Sequence, residues 1–161
     1  MLSLTSIMST TAGIVGEVPP TPAAVDAMLR PPPRDRQGLI EHGVWVSSVI
    51  QGPSYFDAGE ERARWTRAVD RSVSPAGAAR QLGAMAAVPS RLEALAKLAI
   101  PSLVIHGEKD PLMPVENAHR IAAAISGARL LIFPQMGHDL PRPLWPEMVR
   151  AIGENAGRPA P

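Results

Sequence analysis

The stretches PSLVIHGEKDPLMPV, residues 101–115, and RLLIFPQMGHDLP, residues 129–141, follow one pattern: a short continuous apolar run, a breaker, then a polar loop. A continuous apolar run bounded by turn residues suits a strand buried on both faces, as in a parallel sheet. Between the two runs, Val115, Ala118, Ile121, Ala122 and Ile125 recur with a period near 3.6, which predicts a helix over 115–126. Beyond them, residues 145–156 carry Pro146 near the start and place Met148, Val149 and Ile152 on one face, which predicts a closing helix. Strand, helix, strand, helix at these lengths is a βαβα unit with parallel strands and a right-handed crossover, so the fold class is α/β.

Toward the amino terminus, LSLTSIM (residues 2–8) reads as a further short strand, followed by the turn-prone run Ser9 to Gly13. Pro19, Pro20, Pro22, Pro31, Pro32 and Pro33 then bracket a short helix over Ala23 to Leu29. Asp35 to Ile50 brings Leu39, Val46, Val49 and Ile50 near one helical face, with Gly38 and Gly43 weakening the pattern. Residues 60–72 put Trp65 and Val69 four apart among Arg62, Arg64, Arg67 and Arg71, an amphipathic helix with a solvated basic face. Two more helices are predicted, over 76–87 and over 91–98. Thr11 to Leu98 is thus a helical region without a strand, and no internal repeat is visible.

Composition narrows the function classes. With 161 residues the chain has room for one ordinary domain. Lys+Arg 16 against Asp+Glu 15 gives a net charge of +1, which supplies no basic field for nucleic acid or an anionic membrane. Cys 0 excludes disulfides, thiolate nucleophiles and thiolate metal sites. No apolar run reaches the length of a membrane-spanning helix. The opening segment has no Lys or Arg before Arg30, and its apolar residues are interrupted by Ser and Thr; it reads as structure, and the protein as cytoplasmic.

In open α/β sheets the chemistry sits at the carboxyl ends of the strands. Asp110 follows one predicted strand and His138 the other, so parallel strands would make their loops neighbours and bring carboxylate and imidazole together. An imidazole titrates near neutrality and can take a proton from a hydroxyl and return it to a leaving group. A carboxylate beside it fixes the tautomer and stabilises the imidazolium. Pro111 and Pro114 stiffen the loop that aims Asp110, and Gly137 permits a sharp turn before His138. Asp139 is expected to point elsewhere, His106 to pack at a strand end, His119 to be an exposed helix residue and His42 to sit in the helical region. None of these has partners at metal-ligand spacing. Trp45, Tyr55, Phe56 and Trp65 are read as packing between helices rather than as pocket lining.

The motifs HGEKDPLMPV and PQMGHDLP, each between a strand and a helix, resemble the carboxyl-terminal part of an α/β-hydrolase, with wording similar to aclacinomycin methylesterase-like and proline iminopeptidase-like serine hydrolases. The segments LSLTSIMSTTAG, TPAAVDAMLRPPPRDRQGLIEHGVW and SPAGAARQLGAM are similar to the strand and the proline-rich helical lid of that group. The resemblance implies a partial hydrolase core over 1–10 and 99–161 and a helical cap over 11–98. It implies three parallel strands in sequence order, Asp110 as the acid, His138 as the base, hydrolysis of a small-molecule carboxylic ester or, less favoured, an amide, and no cofactor or metal. In the family the nucleophile stands in a G-x-S-x-G elbow upstream of the first strand seen here, and no G-x-S-x-G occurs in these residues. Ser54, in GPSYF, lacks the following glycine and is not assigned that role. Two readings follow. One is the lid and acid–base part of a serine hydrolase, inactive alone and dependent on a preceding half to fold. The other is a non-catalytic binding module derived from the same fold.

Overall fold

The computed structural model describes residues 2–11 and 18–159. The part of the predicted turn after Thr11, through Gly13, and the start of the predicted helical region lie outside the described residues. Strand β1 (Leu4–Ile7) is followed by five helices: α1 (Pro22–Leu29), α2 (Arg36–Ile50), α3 (Ala58–Arg71), α4 (Pro75–Ala87) and α5 (Leu92–Ala96). Then come β2 (Ser102–Gly107), α6 (Glu116–Ala124), β3 (Arg129–Phe133), a 3-10 turn at Arg142–Leu144 and α7 (Trp145–Ala156). The three strands form one parallel sheet in the order β1-β2-β3, with Leu4 opposite Ser102 and Leu103 opposite Arg129.

Every residue of β2 is buried because both faces of the central strand are covered. Leu103 and Ile105 join Phe133, Met136, Met148 and Ala151 on the α7 side. Val104, pointing the other way, joins Ala118, Ile121 and Ile125 on the α6 side. That two-sided burial is why the sequence of β2 shows no polar alternation. Asn155, near the end of α7, is fully buried and donates from Nδ2 to the Leu4 and Pro101 carbonyls at 2.9 and 3.4 Å, tying the starts of β1 and β2 together.

Two helix faces differ from the expected ones. On α7 the buried positions are Met148, Ala151 and Asn155, whereas Val149 is exposed. A residue one position beyond a buried one is turned by about 100° and leaves the i, i+3, i+7 stripe. On α2 the buried residues are Ile40, Gly43, Val44 and Ser47 rather than Leu39, Val46, Val49 and Ile50. The cause is tertiary: the Trp65 indole of α3 lies where a Cβ at Gly43 would stand, and its Nε1 donates to Ser47 Oγ at 2.9 Å. Gly43 is therefore the contact point between α2 and α3 and not a weakness in the helix. Ion pairs between the same helices, Arg36 with Asp70 and Arg62 with Glu41, lie on the solvated side. Helix α4 carries no buried residue, and its Leu82 and Met85 are exposed.

Candidate active site

The loops after β2 and β3 are joined by main-chain hydrogen bonds. Glu108 N donates to Phe133 O and Lys109 N to Met136 O, both at 3.0 Å. Pro111 has no N–H, so the turn after β2 is closed by the side chain before it: Asp110 Oδ1 accepts from Leu112 N at 2.9 Å and Met113 N at 2.7 Å. The Asp110 carboxylate is completely buried, and its second oxygen lies 2.8 Å from His138 Nδ1. A carboxylate only accepts, which assigns the proton to Nδ1 and leaves Nε2 as the basic nitrogen. The His138 side chain is 26% exposed and lines a cleft of about 1180 Å³ between α2, α3 and the segment 138–145. The two residues singled out in the sequence thus meet, one enclosed and the other partly open to solvent.

His106 goes beyond the expected strand-end packing. Its Nε2 donates to the Met113 carbonyl at 2.6 Å and stands 3.6 Å from Asp110 Oδ2, so the ring braces the loop that carries the carboxylate. The only sequence signal for this was its position four residues before Asp110. His119 is exposed on α6, and His42 stands beside Trp45 on α2 with its ring tilted. Burial, and then the nearby Arg30 guanidinium, hold the His42 pKa below its ordinary value.

Asp139 does not point away. Its Oδ1 accepts from Gly137 N at 3.0 Å and from Gly52 N at 3.3 Å, and the residue lines the same cleft as His138. Burial raises its pKa, with the Asp110 and Glu61 charges adding to the rise, against the lowering effect of the two amide hydrogen bonds. A carboxyl whose folded pKa is raised contributes stability that is complete below its unfolded pKa and is lost as pH rises through the folded value. Asp139→Asn keeps an acceptor oxygen and removes the buried charge. Thermal unfolding should therefore show D139N melting a few degrees above wild type at neutral pH, with the gap closing below about pH 4; a D139N chain less stable than wild type at neutral pH would contradict this balance.

Tyr55 and Trp65 also line the cleft, together with Met8, Met28, Ile50 and Trp145. The expectation that Tyr55 and Trp65 serve only helix packing is corrected: α3 is amphipathic about the α2 contact, and the rim of that contact opens on the cleft. Trp45 instead lies under the Arg30 guanidinium, 4.3 Å from it. Met8, at the carboxyl end of β1, has φ +45, a left-handed conformation unusual for a residue with a side chain. Ser54 is exposed and donates to Gln135 Oε1 at 3.1 Å. Among the described residues no group of three or more His, Asp or Glu side chains is placed to hold a metal ion, and no helix is long and apolar enough to cross a membrane.

A family model described as TAP-like protein matches residues 75–143, a span that includes both Asp110 and His138. A human protein, serine hydrolase BPHL, is 41% identical over 46 residues, 29% of this chain and 16% of that protein. Among solved structures, a meta-cleavage product hydrolase from Pseudomonas fluorescens superposes with a TM-score of 0.68 at 19% identity over 96% of this chain. The chain has the α/β-hydrolase fold. An enol-lactonase from Burkholderia xenovorans (TM-score 0.68, 17% identity, 98% of this chain) and the esterase RhEst1 from a Rhodococcus species (0.67, 19%, 96%) share the α/β-hydrolase fold. The chain spans 55%, 57% and 56% of the lengths of these three structures, in the order given.

Proposed function

We propose that Asp110 and His138 are the acid and base of a site that hydrolyses small carboxylic esters, without metal or cofactor, and that the nucleophile comes from a strand paired with the edge of β1 that no other described strand covers. In this reading residues 1–10 and 99–161 form the later part of a hydrolase core, and residues 11–98 form its lid. The observation that carries it is the 2.8 Å contact between His138 Nδ1 and the enclosed Asp110 carboxylate, with the other ring nitrogen left for the cleft.

The geometry of β1 supports the second half of the proposal. Its Leu4 and Met8 amides donate to Pro101 O and Ile105 O of the β2 side, at 2.9 and 3.0 Å. Backbone groups alternate along a strand, so those of Thr5 and Ile7 face the opposite edge. A groove of about 310 Å³ runs along that edge, walled by Arg91 and Leu95. A parallel strand seated there would end beside Met8, on the same side of the sheet as His138, where its following turn could present a hydroxyl to Nε2.

The chemistry then needs no further group for proton transfer. Nε2 takes the hydroxyl proton as the oxygen attacks the ester carbonyl, and the resulting imidazolium is stabilised by Asp110. The same proton passes to the leaving alcohol as the acyl intermediate forms. Water, deprotonated by His138, releases the acid and restores the nucleophile. Met8, Met28, Ile50 and Trp145 give the cleft an apolar wall suited to an apolar or aromatic part of an ester, while Arg64, Arg67 and Arg142 also line it.

The test is hydrolysis of p-nitrophenyl esters of graded acyl length. The 161-residue chain alone is expected to give no turnover. The same chain extended by the coding sequence upstream of Met1 is expected to give turnover that depends on His138. Turnover by the chain alone that depends on His138 would overturn the supplied nucleophile; turnover by the extended protein that survives His138→Ala would overturn the site.

A further inference from the structure

We infer that Asp139 is a positioning residue that couples the lid to the catalytic base, so that the seating of the lid on the core sets the orientation of the His138 ring. The inference rests on His138 and Asp110 being the base and acid proposed above. Its grounds are three contacts between the end of α2 and the loop after β3. His138 N donates to Ile50 O at 2.7 Å, which attaches the base's own backbone to the last residue of α2. One oxygen of Asp139 accepts from Gly52 N and from Gly137 N, bridging the loop after α2 on the lid side and the loop after β3 on the core side. The backbones at Gly52 and Gly137 are in contact: a Cβ on Gly52 would overlap the Gln135 carbonyl, and one on Gly137 would overlap Gly52 N and Ile50 O.

These contacts leave the base with two attachments of different kind. Its ring is held by Asp110 from the core, and its main chain is held by α2 from the lid. If the α2 end moved away, the Ile50 and Gly52 contacts would break together, and the 137–139 backbone would be free to rotate His138 relative to Asp110. Asp139 spans both sides with a single acceptor oxygen that meets the main chain of each, whereas the Ser54 to Gln135 bond between the same loops joins two exposed side chains. An oxygen held by two amides in a half-buried loop is harder to displace than either contact alone.

The experiment uses the 161-residue chain extended by the coding sequence upstream of Met1, and long-range proton–nitrogen NMR spectra of the histidine rings, with amide exchange measured at Gly52 and Gly137. In wild type, His138 is expected as one tautomer with its proton on Nδ1. In D139A the two ring nitrogens should move toward averaged positions, and the Gly52 and Gly137 amides should exchange about tenfold faster. D139N, which keeps the acceptor oxygen, should restore both readouts. If D139A does not fold, D139E, with its oxygens displaced by one methylene, is read in the same spectra and should also show averaging. A wild-type chain without the Nδ1-protonated form would defeat the acid–base reading and this inference with it. A fixed His138 tautomer in D139A, with only the amides exchanging faster, would defeat the coupling alone and leave Asp139 as a structural brace. D139N behaving like D139A would defeat it as well, since the coupling is carried by an acceptor oxygen and not by charge.

Discussion

Asp110→Asn is expected to reduce ester hydrolysis by about four orders of magnitude in a protein that carries the nucleophile, while leaving the fold in place. The asymmetry follows from the different duties of the two carboxylate oxygens. Oδ1 accepts from Leu112 N and Met113 N, and an asparagine oxygen can accept from both. Oδ2 accepts from His138 Nδ1, and an amide nitrogen in its place can only donate. The ring must then offer a lone pair at Nδ1 and carry its proton on Nε2, the nitrogen that should receive the nucleophile's proton. A base in that tautomer is blocked although every heavy atom is where it was. The check is kcat for D110N against wild type at neutral pH, alongside thermal unfolding of both. A loss below about tenfold, or a parallel collapse in stability, would contradict the assignment of the two oxygens.

Gly137→Ala is expected to destabilise the chain by about 3 kcal/mol, since the added carbon has no free volume and the atoms it meets are main-chain. It would overlap Gly52 N and approach the Gln51 carbonyl carbon at 2.5 Å and Ile50 O at 2.6 Å. A flexible side chain could swing aside; the backbone at the end of α2 can move only by losing the His138 N to Ile50 O bond and the Asp139 bridge. For a chain of this size the loss corresponds to a fall of roughly 10 °C in melting temperature, readable by circular dichroism. Glycine 153 of α7 is the control, because a Cβ there would meet nothing within 4 Å, and Gly153→Ala should be neutral or slightly stabilising. Equal melting temperatures for G137A and wild type would mean that the α2 end and the His138 loop are not seated together.

Much of this was legible in the chain itself. The two apolar runs predict strands covered on both sides; β2 and β3 are found within them, but only β2 is wholly buried, while β3, last in the order β1-β2-β3, is mostly half-buried. The meeting of Asp110 and His138 is legible in the order of elements, because parallel strands put their following loops on one side by geometry alone. The periodic patterns located α6 and α7 to within two residues. Faces were less secure. The apolar character of Val149 and Val46 points them inward, yet which stripe of a helix is buried depends on what it meets, and Gly43 with Ser47 wins on α2 because Trp65 arrives there.

The sequence by itself determined the class of fold and the meeting of Asp110 with His138, since both depend on local pattern and on the order of elements along the chain. Tertiary structure alone decided what surrounds them. His106 becomes a neighbour of Asp110 only when the loop after β2 folds back on its strand. Asp139 becomes a bridge only when Gly52, far away in the chain, is brought against Gly137. Contacts between residues distant in sequence leave no periodic signature. They are set by the shapes that meet, which is why Gly137, a turn residue by its sequence, and Gly52 are points where the helical region and the sheet side touch.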